Sequence, residues 1–219
     1  MIERSPRWRG AKAYRELRTN LNFLDPDMEL EKLIITSAGP KEGKSLTVAN
    51  LGFAIAQGGE EVIIIDADLH QPQQHNLYQV SNELGLSDIL SGNLELEKVL
   101  QTTPEKNLKI IPSGTLPPSP VELFDSSKME KVLRWVNTKG DLVIIDTPPV
   151  NAVTDTLVLA SKADGVLLLA EANQTKKQML KKAQERLEKA KANLLGVVLN
   201  KYPVKKGPEY YYYQYEYKY

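Results

Sequence analysis

Apolar residues come in six short, nearly continuous runs, at residues 33–36, 61–65, 108–112, 141–145, 165–170 and 194–199. Such runs, without polar alternation, predict strands of a parallel sheet buried on both faces. Between them the apolar spacing changes to steps of three and four. That spacing predicts a helix over 11–23, with Tyr14, Leu17, Leu21 and Leu24 on one face. It predicts a second over 45–57, closed by Gly58-Gly59, and a Lys-rich amphipathic helix over 175–192, capped by Thr175. Shorter helices are expected at 85–92, 94–100, 121–124 resuming at 128–136, and 155–161. Residues 71–81 read as polar and irregular, and 116–120 as a proline-rich loop. Strands alternating with helices argue for an α/β fold, with a mostly parallel central sheet and helices on both faces.

The first run leads directly into chemistry. Ala38-Gly39-Pro40-Lys41-Glu42-Gly43-Lys44-Ser45 fits a phosphate-binding loop of the A/G-x-x-x-x-G-K-S/T form, with Leu46 following into the helix. A loop entering a helix N-terminus leaves backbone N–H groups without intrahelical partners, and the helix dipole adds to their attraction for an anion. Gly43 allows close backbone approach. Lys44 is placed to reach the β- and γ-phosphates, and the Ser45 hydroxyl to ligate Mg²⁺. The strand before and the helix after make a chance Gly-Lys-Ser turn the weaker reading.

Two further strand ends are acidic. The second run ends in Asp66-Ala67-Asp68, the fourth in Asp146-Thr147-Pro148-Pro149. Open α/β sheets bind ligands at the C-terminal ends of their strands. Asp146 has the Walker B arrangement, an apolar strand ending in an Asp that serves the Mg²⁺ shell. Residues two apart on a strand point to opposite faces, but the strand ends at Asp66, so Asp66 and Asp68 can still address one site. Asp66 is the candidate to orient or deprotonate an acceptor beside the metal. The sixth run ends in Asn200, which serves either to read an adenine edge or to cap a turn. The Asn-Lys-x-Asp element of GTP readers is incomplete in Asn200-Lys201-Tyr202-Pro203, which favours ATP. His70 and His75 lack a metal-ligand spacing and read as surface or site-rim residues.

Composition narrows the class. Of 219 residues 42% are hydrophobic and 26% charged, and 28 basic residues balance 28 acidic ones, so no global field calls for nucleic acid or a membrane. Cysteine is absent, which suits a reducing compartment. No apolar run approaches the ~20 residues of a membrane-spanning helix, and no signal peptide is visible, so the chain reads as soluble, or as the cytosolic part of something longer. The end of the chain is different in kind. After Lys205-Lys206-Gly207-Pro208, seven of the last ten residues are Tyr, at 210, 211, 212, 213, 215, 217 and 219. With no aliphatic residues to join a core, this stretch reads as a disordered tail. Such a tail reaches a neighbouring active site at little strain, and its phenols, with pKa near 10, need a group such as a carboxylate beside a metal to activate them.

These motifs together resemble the bacterial tyrosine kinases, the cytoplasmic catalytic domains of polysaccharide co-polymerase systems. The resemblance rests on the P-x-E-G-K-S loop at 40–45, the apolar-D-x-D element at 63–68 and the apolar-D-T-P-P element at 144–149. It rests also on P-P-S-P-x-E-L at 117–123, Y-R-x-L-R-T-N at 14–20 and the terminal Tyr cluster. It covers essentially the whole chain. It implies a P-loop NTPase fold over 1–203 with an interface helix at about 10–24, and an autophosphorylation tail over 204–219. It implies ATP and Mg²⁺ as cofactors, with Lys44, Asp66 and Asp68 catalytic, and residues 39–46 and Asn200 at the nucleotide. Ser45, Asp66 and Asp146 are implied as metal ligands, and Tyr210, Tyr211, Tyr212, Tyr213, Tyr215, Tyr217 and Tyr219 as acceptors in trans. A ring-like homo-oligomer joined through Lys12, Arg15 and Arg18 is implied too. So are a membrane adaptor, fused or separate, that holds the domain at the inner face of the plasma membrane, an opposing tyrosine phosphatase, control of capsule or exopolysaccharide synthesis, and no nucleic acid. Two positions depart from the family pattern: Lys12 stands where the helix motif has Glu, and His70 where Arg usually follows the D-x-D element. The competing readings are a division-site or partition-type ATPase switch and a nucleotide-dependent scaffold without kinase activity. The ATPases carry an extra Lys five residues before the Gly-Lys-Ser lysine, where this chain has Gly39.

Overall fold

A computed structural model describes residues 9–24, 29–92 and 94–203. In chain order the elements are α1 (Arg9–Asn22), β1 (Lys32–Ser37), α2 (Lys44–Ala56), β2 (Val62–Asp66), α3 (Gln74–Tyr78), α4 (Leu86–Ser91), a 3-10 turn (Leu96–Lys98), β3 (Gln101–Thr102), β4 (Leu108–Ile111), α5 (Pro120–Phe124), α6 (Ser127–Asn137), β5 (Leu142–Asp146), α7 (Asp155–Ala160), β6 (Gly165–Glu171), α8 (Lys177–Lys189) and β7 (Leu194–Asn200). The strands form one sheet in the order β3-β4-β2-β5-β1-β6-β7. All neighbours are parallel except β3, which pairs antiparallel with β4.

The continuous apolar runs explain this sheet. In β1, β2 and β5 every apolar side chain is buried, because layers of helix cover both faces. On one face Leu33, Ile35, Ile64 and Ile144 pack against Leu21 of α1 and Val48, Leu51 and Ile55 of α2. On the other, Ile34, Ile65, Val143 and Val166 meet Leu86 of α4, Phe124 of α5, Met129 and Val132 of α6, Leu159 of α7 and Leu187 of α8. Each fully buried Ile or Leu contributes roughly 1.5–3 kcal/mol of transfer free energy. The strands at the middle of the sheet are thereby the most rigid platform available for a site.

Several local expectations give way to tertiary context. Residues 94–100 form only a 3-10 turn, and Gln101 and Thr102 leave it to pair with Ile110 and Lys109. The stretch read as irregular contains helix α3, anchored by Gln74 and Tyr78, both buried. Leu24 lies past the end of α1 and is exposed rather than part of the apolar face. Thr175 does not cap α8. The helix starts two residues later after Lys176, and the Thr175 hydroxyl instead accepts from the Glu171 N–H and donates to Glu42 Oε1. Among the described residues no helix is long and apolar enough to cross a membrane. The tail at 204–219, with all its tyrosines, lies outside the described residues.

Candidate active site

The C-terminal ends of β1, β2, β5 and β7 converge at one edge of the sheet, and each carries part of the site. After β1 the chain turns through Ser37, whose hydroxyl donates to Gly39 O at 2.6 Å, and enters α2 at Lys44. Gly43 sits immediately before the helix with φ 94° and ψ 22°, a left-handed conformation that glycine adopts without a Cβ penalty. Lys41 is left-handed too, with φ 62°. The loop keeps this shape because other strand ends hold it. Asn200 at the end of β7 donates to Glu42 O at 2.8 Å, Lys201 Nζ donates to Lys41 O at 2.8 Å, and Glu42 takes the Thr175 hydroxyl. Among the described residues, the N–H groups of Gly43, Lys44 and Ser45 have no protein acceptor, and the first bond into the helix runs from Thr47 N to Gly43 O. A row of unpaired donors at a helix start, with a cation behind it, is an anion cradle.

The cradle also excludes a side chain at Gly43. A Cβ there would stand 2.4 Å from Asn200 Nδ2. Gly43→Ala is expected to cost about 1–2 kcal/mol for the left-handed backbone and roughly 1 kcal/mol more for the displaced Asn200 bond, read by urea denaturation. Combined with Asn200→Ala, the second part should disappear. An undiminished cost in the double variant would show that Asn200 is not what closes the cradle.

Asp146 ends β5 beside the start of α2 and is fully buried. Its Oδ2 accepts from Gln74 Nε2 at 2.8 Å, whereas its Oδ1 has no partner. Burial pushes this carboxyl up to about 6, against the opposing pull of the Lys44 charge and of the neighbouring Ser45 and Gln74 side chains. Asp66, its register partner on β2, is equally buried. Burial raises the Asp66 carboxyl well above the usual carboxylate range, and the Asp146 charge raises it further. Asp66 also organises the chain that follows: its Oδ2 accepts from Gln73 N and Gln74 N at 3.0 and 2.9 Å, and its Oδ1 from Asp68 N at 3.3 Å.

Asp68 faces the same site because β2 ends at Asp66 and the chain turns. Its Oδ1 accepts from the backbone of His70 and Gln71, and its Oδ2 lies 3.8 Å from Lys44 Nζ. The buried Lys44 thus stands beside Asp68, and its charge is felt at Asp146. The sequence-predicted Lys44, Ser45, Asp66, Asp68, Asp146 and Asn200 are together at this edge. Leu46, on the first turn of α2, is 38% exposed.

The donor set fits Mg²⁺. It is all oxygen, and the buried, unpartnered Asp146 Oδ1 is an acceptor in want of a cation. Among the described residues no three or more His, Cys, Asp or Glu side chains could by themselves hold a metal. Mg²⁺ is usually bound by one or two carboxylates together with substrate phosphates and water. Ser45, Asp66 and Asp146 are the residues that would serve it.

Sequence reasoning missed two contributors. Gln74 sits in a stretch without periodicity. His70, read as a rim residue, pairs through Nε2 with Asp155 Oδ2 at 2.7 Å and ties the loop after β2 to the start of α7. Nothing in the local spacing of either residue announces its partner. The basic residues of α1 also divide. Lys12 lies 3.8 Å from Glu16. Arg18 reaches across to α2, where it donates to Ala54 O at 3.3 Å and lies 3.7 Å from Glu60.

A glycine-containing loop between a buried parallel strand and a helix, with acidic ends on neighbouring strands, defines a P-loop nucleoside-triphosphatase fold. The family profile described as AAA domain matches residues 34–199. The tyrosine-protein kinase YwqD of Bacillus subtilis is 39% identical over 208 residues, spanning 95% of this chain and 88% of that protein. The putative tyrosine-protein kinase CapB of Staphylococcus aureus is 35% identical over 212 residues, spanning 97% and 93%. The crystal structure of the chimerical protein CapA2B2 superposes with a TM-score of 0.88 at 34% identity, over 93% of this chain and 89% of that one. The cell-division ATPase MinD of Pyrococcus furiosus is more distant, with a TM-score of 0.69 and 25% identity over 85% and 79%. The chain belongs to the bacterial tyrosine kinases, and its enzyme class is that of a protein-tyrosine kinase.

Proposed function

We propose that this chain transfers the γ-phosphoryl group of ATP to tyrosines of its own C-terminal tail, Tyr210–Tyr213, Tyr215, Tyr217 and Tyr219, on a neighbouring copy. The observation that carries this reading is the meeting of Lys44, Asp66, Asp68 and Asp146 at the mouth of an unpaired N–H cradle. In this reading the loop 39–46 and Lys44 hold the phosphates, with Asn200 at the nucleotide. Bound Mg²⁺, served by Ser45, Asp66 and Asp146, neutralises charge on the phosphates. The phenol oxygen of the acceptor attacks the γ-phosphorus, the bond to ADP breaks, and the phenolic proton passes to a carboxylate. Asp66 is the carboxylate assigned that role, at the end of β2 beside Asp146 and the phosphate loop. Asp68 stands beside Lys44 and helps to orient it.

The copies assemble as a ring through α1, with Lys12, Arg15 and Arg18 at the interface. Arg18 also braces α2. A membrane adaptor of the polysaccharide co-polymerase type holds the domain at the inner face of the plasma membrane. A tyrosine phosphatase reverses the modification, and the cycle controls capsule or exopolysaccharide synthesis and export. Residues 1–203 act as the kinase domain and 204–219 as the substrate tail.

Mass spectrometry of the full chain after incubation with Mg·ATP, with and without an adaptor peptide, tests this. Phosphate on the tail tyrosines is expected, with faster accumulation in the presence of the peptide. ATP hydrolysis with an unmodified tail would replace the kinase reading by the ATPase switch. Nucleotide binding with neither turnover nor modification would leave a nucleotide-dependent scaffold.

A further inference from the structure

Gln74 is the first residue of α3 and is completely buried, yet neither its position nor its type marks it as part of a phosphate-transfer motif. Its side-chain Nε2 donates to two groups at once, Ser45 O at 2.9 Å and Asp146 Oδ2 at 2.8 Å. Its backbone N–H donates to Asp66 Oδ2 at 2.9 Å. One residue therefore touches all three residues that the functional reading assigns to the metal. A backbone carbonyl and a carboxylate can only accept, so both amide hydrogens are committed and the orientation of the amide is determined. Its Oε1 is consequently turned away from both, and is buried without a partner. Asp146 Oδ1 is in the same condition.

We infer that Gln74 is a positioning residue for the metal site: it holds Asp146 by one oxygen so that the other stays free for Mg²⁺, and ties that carboxylate to the first turn of the phosphate-loop helix. Two buried polar oxygens left without partners beside a helix start cost stability, which a cation and its water shell would recover. Mg²⁺ commonly retains several waters, and Oε1 is an acceptor available to one of them. Residues in this supporting position orient metal ligands, and their removal typically lowers metal affinity about 10–100-fold.

The inference rests on the proposed Mg·nucleotide site, and its test separates the two. Binding of a fluorescent ADP analogue to the full chain is followed in EDTA and across a Mg²⁺ series. The comparison includes the wild type, Gln74→Met, Gln74→Asn and the exposed neighbour Gln73→Ala. Methionine matches the length but has no hydrogen-bonding amide. Asparagine keeps a buried amide that is one methylene too short to span Ser45 O and Asp146 Oδ2, and it covers the case in which the Met variant does not fold. The Mg²⁺ concentration at half-maximal enhancement should rise about tenfold in Gln74→Met and at least about threefold in Gln74→Asn. Binding in EDTA should stay within about twofold of wild type, and Gln73→Ala should behave as wild type throughout. An unchanged Mg²⁺ midpoint in whichever Gln74 variants fold would overturn the inference, as would an equal loss with and without Mg²⁺. A wild type that binds the analogue no better in Mg²⁺ than in EDTA would overturn the metal site itself.

Discussion

Lys44→Met is expected to lower tail phosphorylation by about 10²–10³-fold with the fold intact, the scale of loss when one preorganised charge or donor is removed from a site of developing charge. Lys44 is all but buried, with Asp68 3.8 Å from its Nζ and its charge felt at Asp146. Methionine keeps the packing of the stem against the start of α2 but removes the cation that faces Asp68 and is felt at Asp146. A second consequence follows from the same geometry. Lys44 pulls the Asp146 carboxyl down, so without it that carboxyl should titrate above about 6. Two measurements check this: initial rates of tail phosphorylation, and the pH dependence of stability in EDTA. Near-wild-type rates would remove Lys44 from the phosphate site. An unmoved titration would mean that its charge is not what Asp146 feels.

Asp146→Asn should stabilise the metal-free protein while abolishing turnover. The Asp146 carboxyl is raised from 3.8 to about 6, so the native state binds its proton more tightly than the unfolded chain does. Stability from this group is therefore greatest at low pH. It falls as pH rises from about 4 through about 6, and the full penalty is in place at neutral pH. A shift of that size corresponds to about 3 kcal/mol at most, at 1.36 kcal/mol per pKa unit. Asparagine keeps an oxygen to accept from Gln74 and carries no charge. A gain of roughly 1–3 kcal/mol at pH 7.5 in EDTA is expected, shrinking toward pH 4. Asp66 is raised in the same direction, chiefly by burial, and is present in both proteins. Chemical denaturation at pH 5 and 7.5 reads the effect. A variant no more stable than wild type at pH 7.5, or equally stabilised at both values, would contradict burial of the charged carboxylate as the source. The same burial predicts that Mg²⁺ binds more weakly below about pH 6, where it must displace a proton. Stability given up at a site and recovered on ligand binding is a common arrangement in enzymes.

Legibility in the sequence followed the range of the interaction responsible. The six apolar runs became strands to within one residue at each end, because burial on both faces of a parallel sheet leaves little choice of residue. The phosphate loop was legible because its glycine, its lysine and the following helix act on their immediate neighbours. Helix α3 was not. Its five residues carry no periodicity, and it forms where Asp66 accepts the Gln73 and Gln74 N–H groups, an arrangement made by the end of β2. Strand β3 was hidden similarly, since two residues pair only when β4 lies beside them. Thr175 looked like a cap because its type suits one, yet Glu42, 133 residues away in sequence, claims its hydroxyl.

By itself the sequence determined the class of the sheet, the phosphate loop with Lys44 and Ser45, and the acidic strand ends at Asp66, Asp68 and Asp146. Each of these depends on side-chain type and local spacing. Only the tertiary structure decided that Asn200, Lys201 and Thr175 brace the loop, that His70 joins Asp155, and that Gln74 links Ser45 to Asp146. The physical reason is that a hydrogen bond across 29 to 160 residues leaves no trace in the spacing around either partner. Such bonds exist only after the strands are in order, and it is they that bring a free carboxylate oxygen, a buried lysine and a row of unpaired N–H groups to one place.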